Sequence, residues 1–107
     1  MKSMSPVGSV LKLRPNCYEE YKRRHDGLWP ELADLMRENG INMVIYRFED
    51  FIFCYGTAPS DEMWERVNRH SISQRWNEYM KDVLETDKEG KLIVHRLNQA
   101  FCFGDFP

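Results

Sequence analysis

Tyr21 and His25 stand four residues apart in the segment Tyr-Lys-Arg-Arg-His-Asp-Gly-Leu-Trp-Pro-Glu-Leu at 21–32. An imidazole titrates near neutrality, so one histidine can both take up and return a proton within a catalytic cycle. A tyrosine one helical turn away places a hydroxyl on the same face. Trp76 and Asn77 set a flat apolar surface, with its own N–H donor, beside a carboxamide that both donates and accepts. Together these groups could hold a small molecule and move a proton on it, a chemistry that by itself requires no metal and no redox cofactor. Each has a plainer reading. His25 could be a core histidine satisfied by one hydrogen bond. Trp76, four residues from Ile72 and from Met80, could simply pack in a core, and Asn77 could face water.

The elements that must carry these residues follow from periodicity. Between Tyr18 and Met36 the large apolar side chains fall at 18, 21, 28, 32, 35 and 36, which is one face of a helix, and His25 shares it. Glu19, Glu20, Lys22, Arg23 and Arg24 form the solvated side, where Glu20 and Arg24 can pair. The spacing predicts a helix from Pro15-Asn16 to Asn39, disturbed between Asp26 and Pro30 because proline cannot donate to the Asp26 carbonyl, and stopped by Asn39-Gly40. A first strand is expected at 7–13, and a β-hairpin of 42–48 and 51–57 across Glu49-Asp50. A second helical region starts at Ser60, with Asp61 and Glu62 in its first turn. It breaks at His70-Ser71 and resumes through Ile72, Trp76, Met80 and Val83, with Trp64 in the core. A polar loop at 86–90 leads to a last strand at 94–103.

The order βαββαβ is that of a ferredoxin-like α+β sandwich, an antiparallel sheet with helices on one face. Val44, Tyr46, Phe51 and Phe53 would leave the other face apolar, so a second subunit is expected to cover it, giving a dimeric α/β barrel. The 107 residues are read as one domain, spanning 1–107. A net charge of −2, from 15 basic and 17 acidic residues without a block of one sign, argues against a nucleic-acid partner. No apolar stretch reaches the ~20 residues of a membrane span, and no secretory signal is evident. Cys17, Cys54 and Cys102 read as reduced thiols of a cytoplasmic protein. His25, His70 and His95 are too scattered to suggest a metal site.

Residues 21–32, with Gln74-Arg75-Trp76, Tyr79-Met80 and the pattern from Leu97 to Phe101, resemble the L-rhamnose mutarotases over nearly the whole chain. That resemblance implies a cofactor-free homodimer interconverting the α and β anomers of a 6-deoxyhexose, L-rhamnose or else L-fucose. It implies His25 as proton donor, with Tyr21 and Trp76 binding the sugar. Asn77 stands where the family has a second tryptophan. Met43 stands where the family has a strand tyrosine, and Tyr46 follows three residues on. Two alternatives share the expected fold. One is a small monooxygenase or haem-handling protein with His25 as axial ligand; the other is a non-catalytic sugar-binding module.

Overall fold

A computed structural model describes residues 5–106 of the chain. The elements run β1 (Ser5–Lys12), α1 (Tyr18–Asp26), α2 (Pro30–Glu38), β2 (Asn42–Phe48), β3 (Phe51–Ala58), α3 (Asp61–Arg69), α4 (Ser71–Tyr79), a 3-10 turn (Met80–Asp82) and β4 (His95–Arg96). All strand pairs are antiparallel, in the order β2-β3-β1-β4. This is the expected α+β sandwich, with both helix pairs on one face.

Alternation along β3 decides the two faces. Ile52, Gly56 and Ala58 are buried, and Cys54 half-buried, toward the helices; Phe51 and Phe53 point the other way and are exposed. Cross-strand partners share a face, so the pairs Ile45–Cys54 and Met43–Gly56 put Ile45 and Met43 under the helices. The pairs Val44–Tyr55, Tyr46–Phe53 and Phe48–Phe51 put Val44, Tyr46 and Phe48 on the open face. The core lies between sheet and helices, where Leu13, Ile52 and Met80 are fully buried beside Leu32, Ile72 and Trp76.

Three expectations need correction. The long helix is two helices: Trp29 is extended (φ −58°, ψ 128°), as a residue before proline tends to be, and Pro30 opens α2 where an N–H is not required. Arg24 is on the buried side of α1, not the solvated one, with 8% of its side chain accessible. The last strand is far shorter than 94–103. Only His95 and Arg96 pair with β1, followed by one Leu97 N–H to Gly8 O bond of 2.8 Å. The next β1 position directed at β4 is Pro6, which has no N–H to continue the ladder. Beyond it Phe101, Phe103 and Phe106 lie exposed.

The capping rules hold. Ser60 Oγ accepts the Met63 N–H at 3.3 Å. His70 Nδ1 accepts the Ile72 N–H at 3.1 Å, so this histidine, given no role from the sequence, starts α4. Among the described residues no helix is long and apolar enough to cross a membrane.

Candidate active site

His25 sits in the last turn of α1, with Nδ1 3.0 Å from the Tyr21 carbonyl oxygen. A carbonyl only accepts, so Nδ1 carries the proton and Nε2 keeps its lone pair. Burial lowers the His25 pKa from its ordinary 6.5, and the hydrogen bond to Tyr21 only partly opposes the shift. The ring is therefore neutral at pH 7. Tyr21 is itself buried, which pushes its phenol well above the ordinary tyrosine range. Its ring lies 4.3 Å from the imidazole, centroid to centroid.

Aromatic packing continues outward from the histidine. Trp76 meets His25 edge-on at 5.3 Å and Trp29 edge-on at 5.1 Å, while Trp29 stacks on Tyr79 at 5.3 Å. The Arg24 guanidinium covers the outer side of this group, 4.1 Å from the Tyr79 centroid. It donates to the Tyr79 carbonyl at 2.7 Å, to Asp82 at 2.9 and 3.1 Å, and to Glu20 at 2.7 Å. Hydrogen bonds from Arg23 and Arg24 hold the Glu20 carboxyl down at about 2, and Arg24 lowers that of Asp82 as well.

His25 and Trp76 open onto a chamber of about 480 Å³ between the helices and β2. Leu28, Leu32 and Met36 form one wall, and Met43, Val44 and Ile45 the floor. From the far helices come Trp64, Val67 and Asn68 of α3, then Ser73 and Asn77 of α4. Its size and largely apolar lining, with a few polar groups, are those of small-molecule sites, ~300–1,000 Å³. A second, more polar recess of about 260 Å³ is bordered by Tyr18, Tyr21, Lys22, Asp26 and Arg47, and His25 and Ile45 wall both spaces.

The predicted residues are thus mostly, not wholly, brought together. His25, Met43, Trp76 and Asn77 share the larger chamber, while Tyr21 borders the smaller one from beneath the same imidazole. Tyr46 borders the smaller recess, but strand register turns its side chain to the open face beside Phe53, so it is not brought into the chamber. Trp64, expected in the core, is a half-buried chamber residue. Its indole N–H donates to Ser5 O at 3.0 Å and its ring covers Gly56, where a Cβ would come within 2.8 Å of Cη2. Asn68 and Ser73 were missed. The available signal was their spacing, one turn after Trp64 and four residues before Asn77.

Helices on one face of this sheet, and a histidine in the wall of an aromatic-lined chamber, define a dimeric-α/β-barrel type of subunit with a small-molecule site. Residues 7–102 match the family model described as L-rhamnose mutarotase. An L-rhamnose mutarotase of Escherichia coli O8 is 33% identical over 95 residues, covering 86% of this chain and 91% of the relative. One from Pectobacterium carotovorum is 28% identical over the same shares. A crystal structure of an L-rhamnose mutarotase from Formosa agariphila superposes with a TM-score of 0.79 at 24% identity, covering 94% of this chain and 99% of that one, and shows the shared fold. The chain belongs to the L-rhamnose mutarotase family and is an isomerase. The monooxygenase and haem-handling alternatives are not favoured.

Proposed function

We propose that this protein interconverts the anomers of L-rhamnose, or of a related 6-deoxyhexose such as L-fucose, with His25 as its acid–base group and no cofactor. One observation carries the reading. The His25 imidazole is tied through Nδ1 to the Tyr21 carbonyl, is kept neutral by burial, and walls a chamber of monosaccharide size.

Nε2 takes the proton of the anomeric hydroxyl and hands it to the ring oxygen on the same carbon as the C1–O5 bond breaks. The product is an open aldehyde with a free hydroxyl at C5. Rotation about C1–C2 presents the other carbonyl face, Nε2 takes the proton back from the C5 hydroxyl as O5 attacks that face, and the imidazole delivers that proton to O1. No net proton is consumed, so one histidine suffices. Tyr21, held neutral by burial, orients hydroxyls rather than acting as base. Trp76 offers apolar ring surface to the C–H face of the pyranose. Asn77 contributes a carboxamide and Met43 an adaptable apolar contact. Tyr46, on the open face, belongs to the contact between two subunits. The protein works as a cytoplasmic homodimer, in keeping with three free cysteines and an apolar open face.

NMR saturation transfer between the α and β anomers of L-rhamnose tests this. The wild type should accelerate exchange. His25→Ala should fold normally by circular dichroism and exchange ~10²-fold more slowly or worse. Wild-type exchange by that variant, or its failure to fold, would return His25 to a packing role.

A further inference from the structure

The chamber has two ends. His25 and Ile45 mark one, since both also wall the smaller recess. Met43 marks the other: it pairs with Gly56, and Gly56 lies beneath the Trp64 ring. Residues two apart on a strand are ~7 Å apart, so the ends are separated by about the width of a pyranose with its substituents. On the helical side Trp76 belongs to the His25 end, in edge contact with the imidazole. Ser73 lies one turn earlier in α4, and Asn68 one turn after Trp64 in α3.

Ser73 Oγ is buried and has no hydrogen-bond partner among the described residues. A buried hydroxyl without a partner is costly, and in the wall of a chamber its natural partner is a ligand. Asn68 adds a carboxamide to the same chamber. Apart from His25 and Asn77, these two are the hydrogen-bonding side chains of an otherwise apolar or aromatic lining.

We infer that Ser73 and Asn68 are substrate-binding residues that select for the hydroxyls at C3 and C4, on the ring edge opposite the anomeric carbon. This rests on the reading that a sugar occupies the chamber with C1 and O5 at His25. A ring so placed sends its C3 and C4 hydroxyls toward the Ser73–Asn68 half. Ser73 Oγ gains the partner it lacks, and an analogue without that hydroxyl leaves it buried and unpaired. Sites built this way discriminate against deoxy analogues more strongly than apolar pockets discriminate by a methyl group.

The experiment uses L-rhamnose and its 3-deoxy and 4-deoxy analogues on the full chain, with two readouts: Kd from tryptophan fluorescence and anomer exchange by NMR. For wild type, at least one analogue should bind tenfold or more weakly than L-rhamnose. Ser73→Ala should bring L-rhamnose to that analogue's level and leave the analogue's own Kd within twofold. Asn68→Ala should do the same for one of the two analogues. Equal binding of all three sugars by wild type, or variants that weaken all three alike, would overturn the inference. Hydroxyl-selective binding without anomer exchange would overturn the proposed activity and uphold this inference. Exchange with selectivity unmoved by Ser73→Ala would do the reverse. Absence of any sugar binding would overturn both.

Discussion

Arg24 grips Asp82 through two hydrogen bonds of 2.9 and 3.1 Å, joining the last turn of α1 to the 3-10 turn that follows α4. The same guanidinium lies over Tyr79, which packs against both Trp29 and Trp76. The residue next to His25 in sequence therefore fixes the distance between the helix carrying the imidazole and the helix carrying its aromatic neighbour.

Arg24→Met keeps the packing volume but removes the donors. Asp82 is largely solvated, so the lost ion pair is well below a fully buried one; the loss expected is about 1–3 kcal/mol. Urea unfolding measures it. Because the variant frees α4 to shift against α1, anomer exchange at saturating sugar should fall by ~10-fold or more, as expected when a catalytic geometry loosens. Unchanged stability and exchange would make the contact incidental.

Local rules were legible in the sequence. The Trp29–Pro30 break, the Ser60 cap and the Glu49-Asp50 hairpin each depend on neighbours a few residues away, and each is where it was expected. His25 and Trp76 stood out because their spacing and chemistry could be read together. Arg24 could not be placed, because its burial depends on a carboxylate 58 residues on. Register misled twice. Alternation on β2 does not say which face meets the helices, so Met43 and Tyr46 could not be told apart without the pairing to β3. The length of β4 depends on Pro6 lying opposite its continuation. Ser73 and Asn68 were passed over despite their spacing from Asn77 and Trp64, because a small polar residue on a helix ordinarily faces water.

The pH dependence follows from burial of His25. Its pKa in the folded protein is below the ordinary 6.5. Between the two values the unfolded chain binds more protons than the folded one, so stability rises with pH through that window and drains as pH falls below 6.5. Catalysis by the neutral imidazole should persist further into acid, failing only near the folded-state value. The exchange rate should thus show an acid limb with its midpoint below 6.5, coinciding with the His25 ring titration seen by NMR. A midpoint above 6.5 would mean that a partner raises the pKa instead.

The open sheet face predicts self-association. Tyr46 and Phe48 are 67% and 64% exposed, and Phe51 and Phe53 lie beside them. Such a contiguous apolar patch is rare on monomers. Sedimentation should give a particle of about twice the 12.8 kDa chain mass at micromolar concentration. Phe53→Arg, in the middle of that face and away from the chamber, should shift it to monomer while leaving helical content intact. A wild-type monomer would remove the barrel arrangement.

Asn77 bears on which sugar is preferred. It borders the chamber beside Trp76, where the family resemblance leads one to expect a second indole. A carboxamide makes hydrogen bonds that an indole cannot, but it gives up the apolar area that would cover a sugar's methyl group. One methyl changes affinity by only ~1–3 kcal/mol, so weakening that contact should relax selectivity without abolishing turnover. L-Rhamnose is expected to be exchanged, with L-mannose, which carries a C6 hydroxyl in place of a methyl hydrogen, within about tenfold of it, since roughly 1.4 kcal/mol corresponds to a factor of ten. Asn77→Trp should restore the apolar contact and move the ratio toward L-rhamnose. The measurement is the ratio of exchange rates for the two sugars in both proteins, by the same NMR method. A wild type already selective by a hundredfold, together with a variant that leaves the ratio where it was, would show that Asn77 lies outside the contact that distinguishes the sugars, and would move the search for specificity to Ser73 and Asn68.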